Sequence, residues 1–82
     1  MEQQHVFAKV VGILTPFVKS KEELGRVAMG TSLLDDLKLN SARLVDVVIA
    51  MEDTFGIEVK DEEADSVKTV GDAVTLILGK TR

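Results

Sequence analysis

Apolar residues recur every three or four positions through three separate stretches of this 82-residue chain, and they alternate for only a few residues elsewhere. That rhythm gathers side chains on one face of a helix and argues against a sheet as the main element. The first stretch, 4–18, places Val6, Val10, Leu14 and Phe17 at helical spacing, with Pro16 expected to bend its last turn. The second, 41–55, brings Leu44, Val47, Val48, Met51 and Phe55 within one arc of about 100°, and Gly56 is suited to a left-handed C-terminal cap. The third, 70–78, carries Val70, Ala73, Val74, Ile77 and Leu78; Thr69 and Asp72 are spaced to cap its start, and Gly79 is expected to end it.

Between these stretches the pattern loosens. From Ser20 to Lys38, Gly25 and Gly30 interrupt it, and Thr31-Ser32 before Leu33-Leu34 predicts a short capped turn pinned to the core by both leucines. Ile57 and Val59 alternate with Glu58 and Lys60 as an extended connector, and Asp61-Glu62-Glu63-Ala64 suits one acidic helical turn. The expectation is a small all-α bundle of three to four helices forming one domain over residues 1–82. Apolar residues make up 45% of the chain but aromatics only 4%, so the core has to be aliphatic.

Charge and residue usage narrow the function. The net charge of −4 is uneven: residues 1–43 are close to neutral, whereas nine acids face four bases over 44–82. An acidic half repels phosphate backbones and suits partners with basic patches, so nucleic acid is not an expected ligand. With no cysteine, disulfides and thiolate metal sites are impossible, and any thiol the protein uses must be supplied from outside. The acids of 58–65 lack the ligand alternation of a calcium loop, so no metal site is expected. The single histidine, His5, is remote in sequence from the serines, and no nucleophile–base–orienter set is visible, so no catalytic residues and no enzyme activity are expected. No segment approaches membrane-spanning length, and Met1-Glu2-Gln3-Gln4-His5 lacks the basic start of a secretory signal. A cytoplasmic monomer without membrane insertion is the expectation.

Ser41 sits where the long loop hands over to the second helix. There it is either an ordinary helix cap or an attachment point, since the first turn of a helix offers free N–H groups and a positive dipole end to an anion. Val45 and Ile49 lie off the core arc beside Ala42, Asp46 and Asp53. They either pack beneath the 20–40 loop or form a second apolar stripe for partners.

In order and spacing, the chain resembles the acyl carrier proteins. The resemblance rests on a helix, a long loop closing on Leu34-Asp35-Asp36-Leu37, and the serine opening the second helix. It continues through Met51-Glu52-Asp53-Thr54-Phe55-Gly56-Ile57, Asp61-Glu62-Glu63-Ala64 and Thr69-Val70-Gly71-Asp72-Ala73-Val74. It implies a helical bundle of that type and a 4′-phosphopantetheine arm on Ser41, taken from coenzyme A by a separate phosphopantetheinyl transferase. The arm's terminal thiol would hold acyl groups as thioesters in fatty-acid, lipid or related specialised biosynthesis. Acyl-transferring and condensing enzymes with basic patches would read Asn40, Ala42, Arg43, Val45, Asp46, Ile49, Glu52 and Asp53. Val47, Met51 and Ile57 would line a pocket for a folded-back acyl chain.

Three residues depart from the family pattern of Asp-Ser-Leu followed by an acid: Asn40, Ala42 and Arg43. Asn40 keeps capping ability but loses a charge; Ala42 removes apolar surface, on the order of 1.5–2 kcal/mol if fully buried in complexes. Arg43 reverses the local sign. These changes point to a specialised carrier with dedicated partners. The alternatives are an aminoacyl, peptidyl or polyketide carrier, or an unmodified carrier-like interaction module.

Overall fold

The computed structural model describes residues 2–19 and 21–81. Its helices are α1 (Gln3–Leu14), α2 (Lys21–Gly25), α3 (Ser41–Phe55), α4 (Asp61–Asp65) and α5 (Val70–Lys80). The three long helices are those the periodicity predicts, and α1 packs chiefly on α5 and then on α3. Val6, Val10 and Leu14 of α1 meet Val70, Ala73, Val74 and Ile77 of α5 and Val47 and Met51 of α3 in a single aliphatic core. Among the described residues no strand forms; Ser32 and Thr69 make an isolated antiparallel bridge.

Local chemistry sets the helix ends. α1 stops at Leu14, earlier than the expected 18, and Thr15–Phe17 tighten into a 3-10 turn. Pro16 has no N–H to give, while the Thr15 hydroxyl donates back to the Val11 carbonyl at 2.9 Å. Gly56 ends α3 in the left-handed conformation at φ 65°. Gly79, expected to end α5, remains helical, and the helix continues to Lys80, where the Thr81 N–H and hydroxyl both bond the Ile77 carbonyl. Gly79 does not take the left-handed turn by which Gly56 ends α3.

The long loop holds one element that periodicity missed. α2 has five residues, too few for an apolar repeat to show, and carries Glu22 and Glu23 in its first turn. Further on, Leu33, Leu37 and Leu39 are buried and fasten the loop over the core. Leu34, expected beside Leu33 in the core, is instead 43% exposed. The loop is also tied to the start of α5 by backbone bonds: Leu33 N–H to Lys68 O, Val70 N–H to Thr31 O and Gly71 N–H to Met29 O. α4 is joined to the far end of α5 by an ion pair, Lys80 Nζ to Glu63 Oε1 at 2.7 Å.

Candidate functional site

The loop delivers Ser41 to its position through alternating anchors. Leu37 and Leu39 point into the core, and Lys38 between them takes a left-handed backbone, φ 57°, which turns the chain toward α3. Asn40 then caps the helix: its Oδ1 accepts from the Arg43 N–H at 2.8 Å, and its carbonyl accepts from the Leu44 N–H. The cap is thus Asn40 and not the serine. Ser41 is the first helical residue, exposed, and its hydroxyl has no hydrogen-bond partner among the described residues. The Ser41 and Ala42 N–H groups have no intrahelical acceptor, leaving two donors free at the positive end of a fifteen-residue helix.

The other described serines are engaged. Ser32 Oγ accepts from the Asp35 N–H at 3.1 Å, and Ser66 Oγ donates to the Glu63 carbonyl at 2.7 Å. Ser20 lies outside the described residues.

Two grooves flank the root of α3. An apolar one of about 480 Å³ opens beside Ser41, walled by Leu44, Val45 and Val48 of α3, Leu34 of the loop, and Ala64 and Val67 near α4. The other, of about 570 Å³, lies beyond Asn40 and Arg43 and runs along Phe17, Leu37 and Leu39 with Lys19 and Lys38 at its rim. The two neighbours Asn40 and Ser41 therefore line different grooves.

Along α3, Val45 is 58% exposed and Ile49 50%, so neither packs beneath the loop; Val45 and Leu34 leave apolar surface at the groove, and Ile49 adds to the exposed face of α3. Ala42, Arg43, Asp46 and Asp53 are exposed as well. Glu52 is half-buried, and its carboxylate accepts from the Val59 N–H at 3.0 Å, holding the connector after α3. Val47 and Met51 lie in the closed core with Ile57 half-buried against it, and none of the three lines the groove at Ser41. The apolar residues that line it from outside α3, Leu34, Ala64 and Val67, come from segments distant in sequence, with Ser32, Asp35, Asp65 and Lys68 beside them, and no periodicity records that they meet.

Electrostatic tuning is concentrated away from Ser41, at the α4–α5 junction. A hydrogen bond from Lys80, with a further one from the Lys60 N–H, holds the Glu63 carboxyl below its ordinary value. The Lys68 and Thr69 N–H groups do the same for Asp72. Among the described residues no three His, Cys, Asp or Glu side chains gather to hold a metal, and no helix is long and apolar enough to cross a membrane. His5 is exposed on the first turn of α1.

With this geometry in place, similarity to known proteins is informative. The phosphopantetheine attachment site family matches residues 20–77. The chain is 38% identical over 77 residues to the acyl carrier protein of Coprothermobacter proteolyticus, covering 94% of this chain and 92% of that one. It is 35% identical to the acyl carrier protein of Lactobacillus acidophilus, covering 94% of each. The structure superposes with a TM-score of 0.79 on an acyl carrier protein from Enterococcus faecalis, 31% identical, over 98% of this chain and 99% of the other. The chain belongs to the acyl carrier protein family and carries acyl groups on a covalent 4′-phosphopantetheine arm.

Proposed function

We propose that Ser41 is the attachment point of the arm and that residues 1–82 act as one carrier domain serving a dedicated set of partner enzymes. The observation that carries this reading is the state of the hydroxyl: Ser41 is exposed and unbonded at the start of α3, whereas Ser32 and Ser66 have theirs engaged. The arm supplies a thiol on a flexible tether, where an acyl group is held as a thioester. The protein supplies the root. Asn40 caps α3 so that the serine need not, and the open Ser41 and Ala42 N–H groups suit the phosphodiester that modification would place there.

On this reading the exposed face of α3, from Ala42 and Arg43 through Val45, Asp46, Ile49 and Asp53, meets the transferase and then the acyl-handling enzymes. The carrier works as a cytoplasmic monomer and catalyses nothing itself. A folded-back chain enters through the apolar groove at Leu44, Val45 and Val48, and to reach Val47, Met51 and Ile57 it must part the core side chains. Loading a medium-length acyl group then raises the thermal midpoint; an unchanged midpoint with unchanged core chemical shifts would leave the chain in solvent.

The attachment site is tested with coenzyme A, Mg²⁺ and a broad-specificity phosphopantetheinyl transferase, read by mass spectrometry. One arm adds to the parent protein and to Ser66→Ala, and none to Ser41→Ala. Addition at Ser20, Ser32 or Ser66 in the Ser41→Ala protein refutes the assignment.

A further inference from the structure

The groove beyond Asn40 differs in character from the apolar one at Ser41. Lys19, Lys38 and Arg43 border it, all exposed and all without an ion pair among the described residues. Glu23 and Asp36 also line it; the Asp36 carboxylate accepts from the Ser32 N–H at 2.7 Å, which turns it toward the loop but leaves its charge in the groove. Phe17, Val18, Leu37 and Leu39 supply the apolar part of its lining. Three cations against two carboxylates leave this groove with a small positive excess in a chain of net charge −4.

We propose that this groove receives an acidic side chain, with apolar neighbours, from the partner enzyme, so that the carrier is read by two opposite charges along one face. A partner carboxylate would sit against Lys38 and Arg43 at the head of α3. Partner cations would meet Asp46 and Asp53, three and ten residues further along, or roughly 5 and 15 Å at the rise of a helix. The occupant is assigned to the enzyme and not to the arm because Ser41 lines the other groove. A partner carrying cations at the mouth that accepts the arm would meet Lys38 and Arg43 head-on, and like charges opposed across an interface cost several kcal/mol. The arrangement therefore both selects a partner and rejects others.

The identity of the occupant rests on the carrier reading, but the test does not need the arm. The unmodified ¹⁵N-labelled protein is titrated with the peptide acetyl-Glu-Leu-Glu-Leu-Glu-amide, its Lys-for-Glu counterpart, and inorganic phosphate. The acidic peptide is expected to shift the amides of Lys19, Leu37 to Leu39 and Arg43 saturably, with a Kd on the order of 1 mM. Lys38→Glu with Arg43→Glu should weaken it about tenfold or more, and Arg43→Glu alone, whose loop is untouched, should weaken it measurably. The basic peptide should shift Asp46 to Asp53 instead. Three outcomes would overturn the proposal: no saturable shift with the acidic peptide, shifts insensitive to the Arg43 reversal, or inorganic phosphate reproducing the same shifts at the same concentration. The last would make the groove a plain anion site.

Discussion

The N-termini of α3 and α5 are built on the same plan and finished in opposite ways. Asn40 and Thr69 cap them, and each side-chain oxygen accepts from the N–H three residues on. At α5 every following position closes the end. Val70 is fully buried and donates to Thr31 O, and Gly71 donates to Met29 O at 2.7 Å. Asp72 then returns its carboxylate to the Lys68 and Thr69 N–H groups. At α3 the same three positions are Ser41, Ala42 and Arg43, all exposed, with two donors open and a cation where a carboxylate would complete the box. One end is a joint inside the molecule and the other is a port on its surface. A cap that is intact except for its second partner leaves a helix end open to the outside.

The largest effect is expected at the second helical position. A Cβ on Gly71 would stand 2.7 Å from the Met29 carbonyl oxygen, so Gly71→Ala has to push the loop off α5. We expect a loss of about 1–3 kcal/mol by urea denaturation. Ala42→Gly, at the equivalent position of α3, should cost less than about 1 kcal/mol. Similar losses for both would erase the distinction between joint and port.

The next effect is functional. Asn40→Asp with Arg43→Asp makes the port acidic, and its kcat/KM with a standard holo-carrier synthase should rise about tenfold, or 1.4 kcal/mol. Equal rates for the parent and the double variant would leave Arg43 without a role in partner choice.

Smaller still are the caps themselves. Asp72→Ala removes a carboxylate that accepts two backbone donors and should destabilise by about 1 kcal/mol. Arg43→Glu places an acid where α3 lacks one and should stabilise by a few tenths to about 1 kcal/mol. A gain in stability on removing Arg43 would show that the arginine is kept at the expense of the fold.

Acid should narrow the contrast, and this is the gentlest effect. The folded-state pKa values of Glu63 and Asp72 lie below the ordinary 4.5 and 3.8, so the unfolded chain binds protons first as pH falls. Their contribution is complete above those ordinary values and is lost as pH drops through the lowered ones. Amide exchange followed from neutral pH to about pH 3 should show protection falling at the start of α5, relative to α3, as Asp72 titrates. A uniform fall at both helix starts would place the sensitivity elsewhere.

The helices were legible because periodicity is local. Val6, Val10 and Leu14, or Val47 and Met51, declare a buried face within three turns, and Gly56 declares a stop within one residue. Ser41 was legible as the start of α3, and its neighbourhood as a departure from a family pattern. Two features were hidden. α2 is shorter than any apolar repeat that would reveal it, and Gly79 reads as a terminator although nothing there turns the chain left-handed.

Composition and spacing thus settled that this chain forms an aliphatic helical bundle with a serine at the head of its second long helix. Those are properties of neighbours three or four residues apart. Which side of that serine is mainly apolar and which is lined with charge depends on Leu34, Ala64 and Val67 meeting across one groove and Lys19, Lys38 and Arg43 gathering with Glu23 and Asp36 around another. Those residues are brought together by loop anchors at Leu33, Leu37 and Leu39 and by backbone bonds to the start of α5. No periodicity records such contacts, because they are chosen by how separate elements pack.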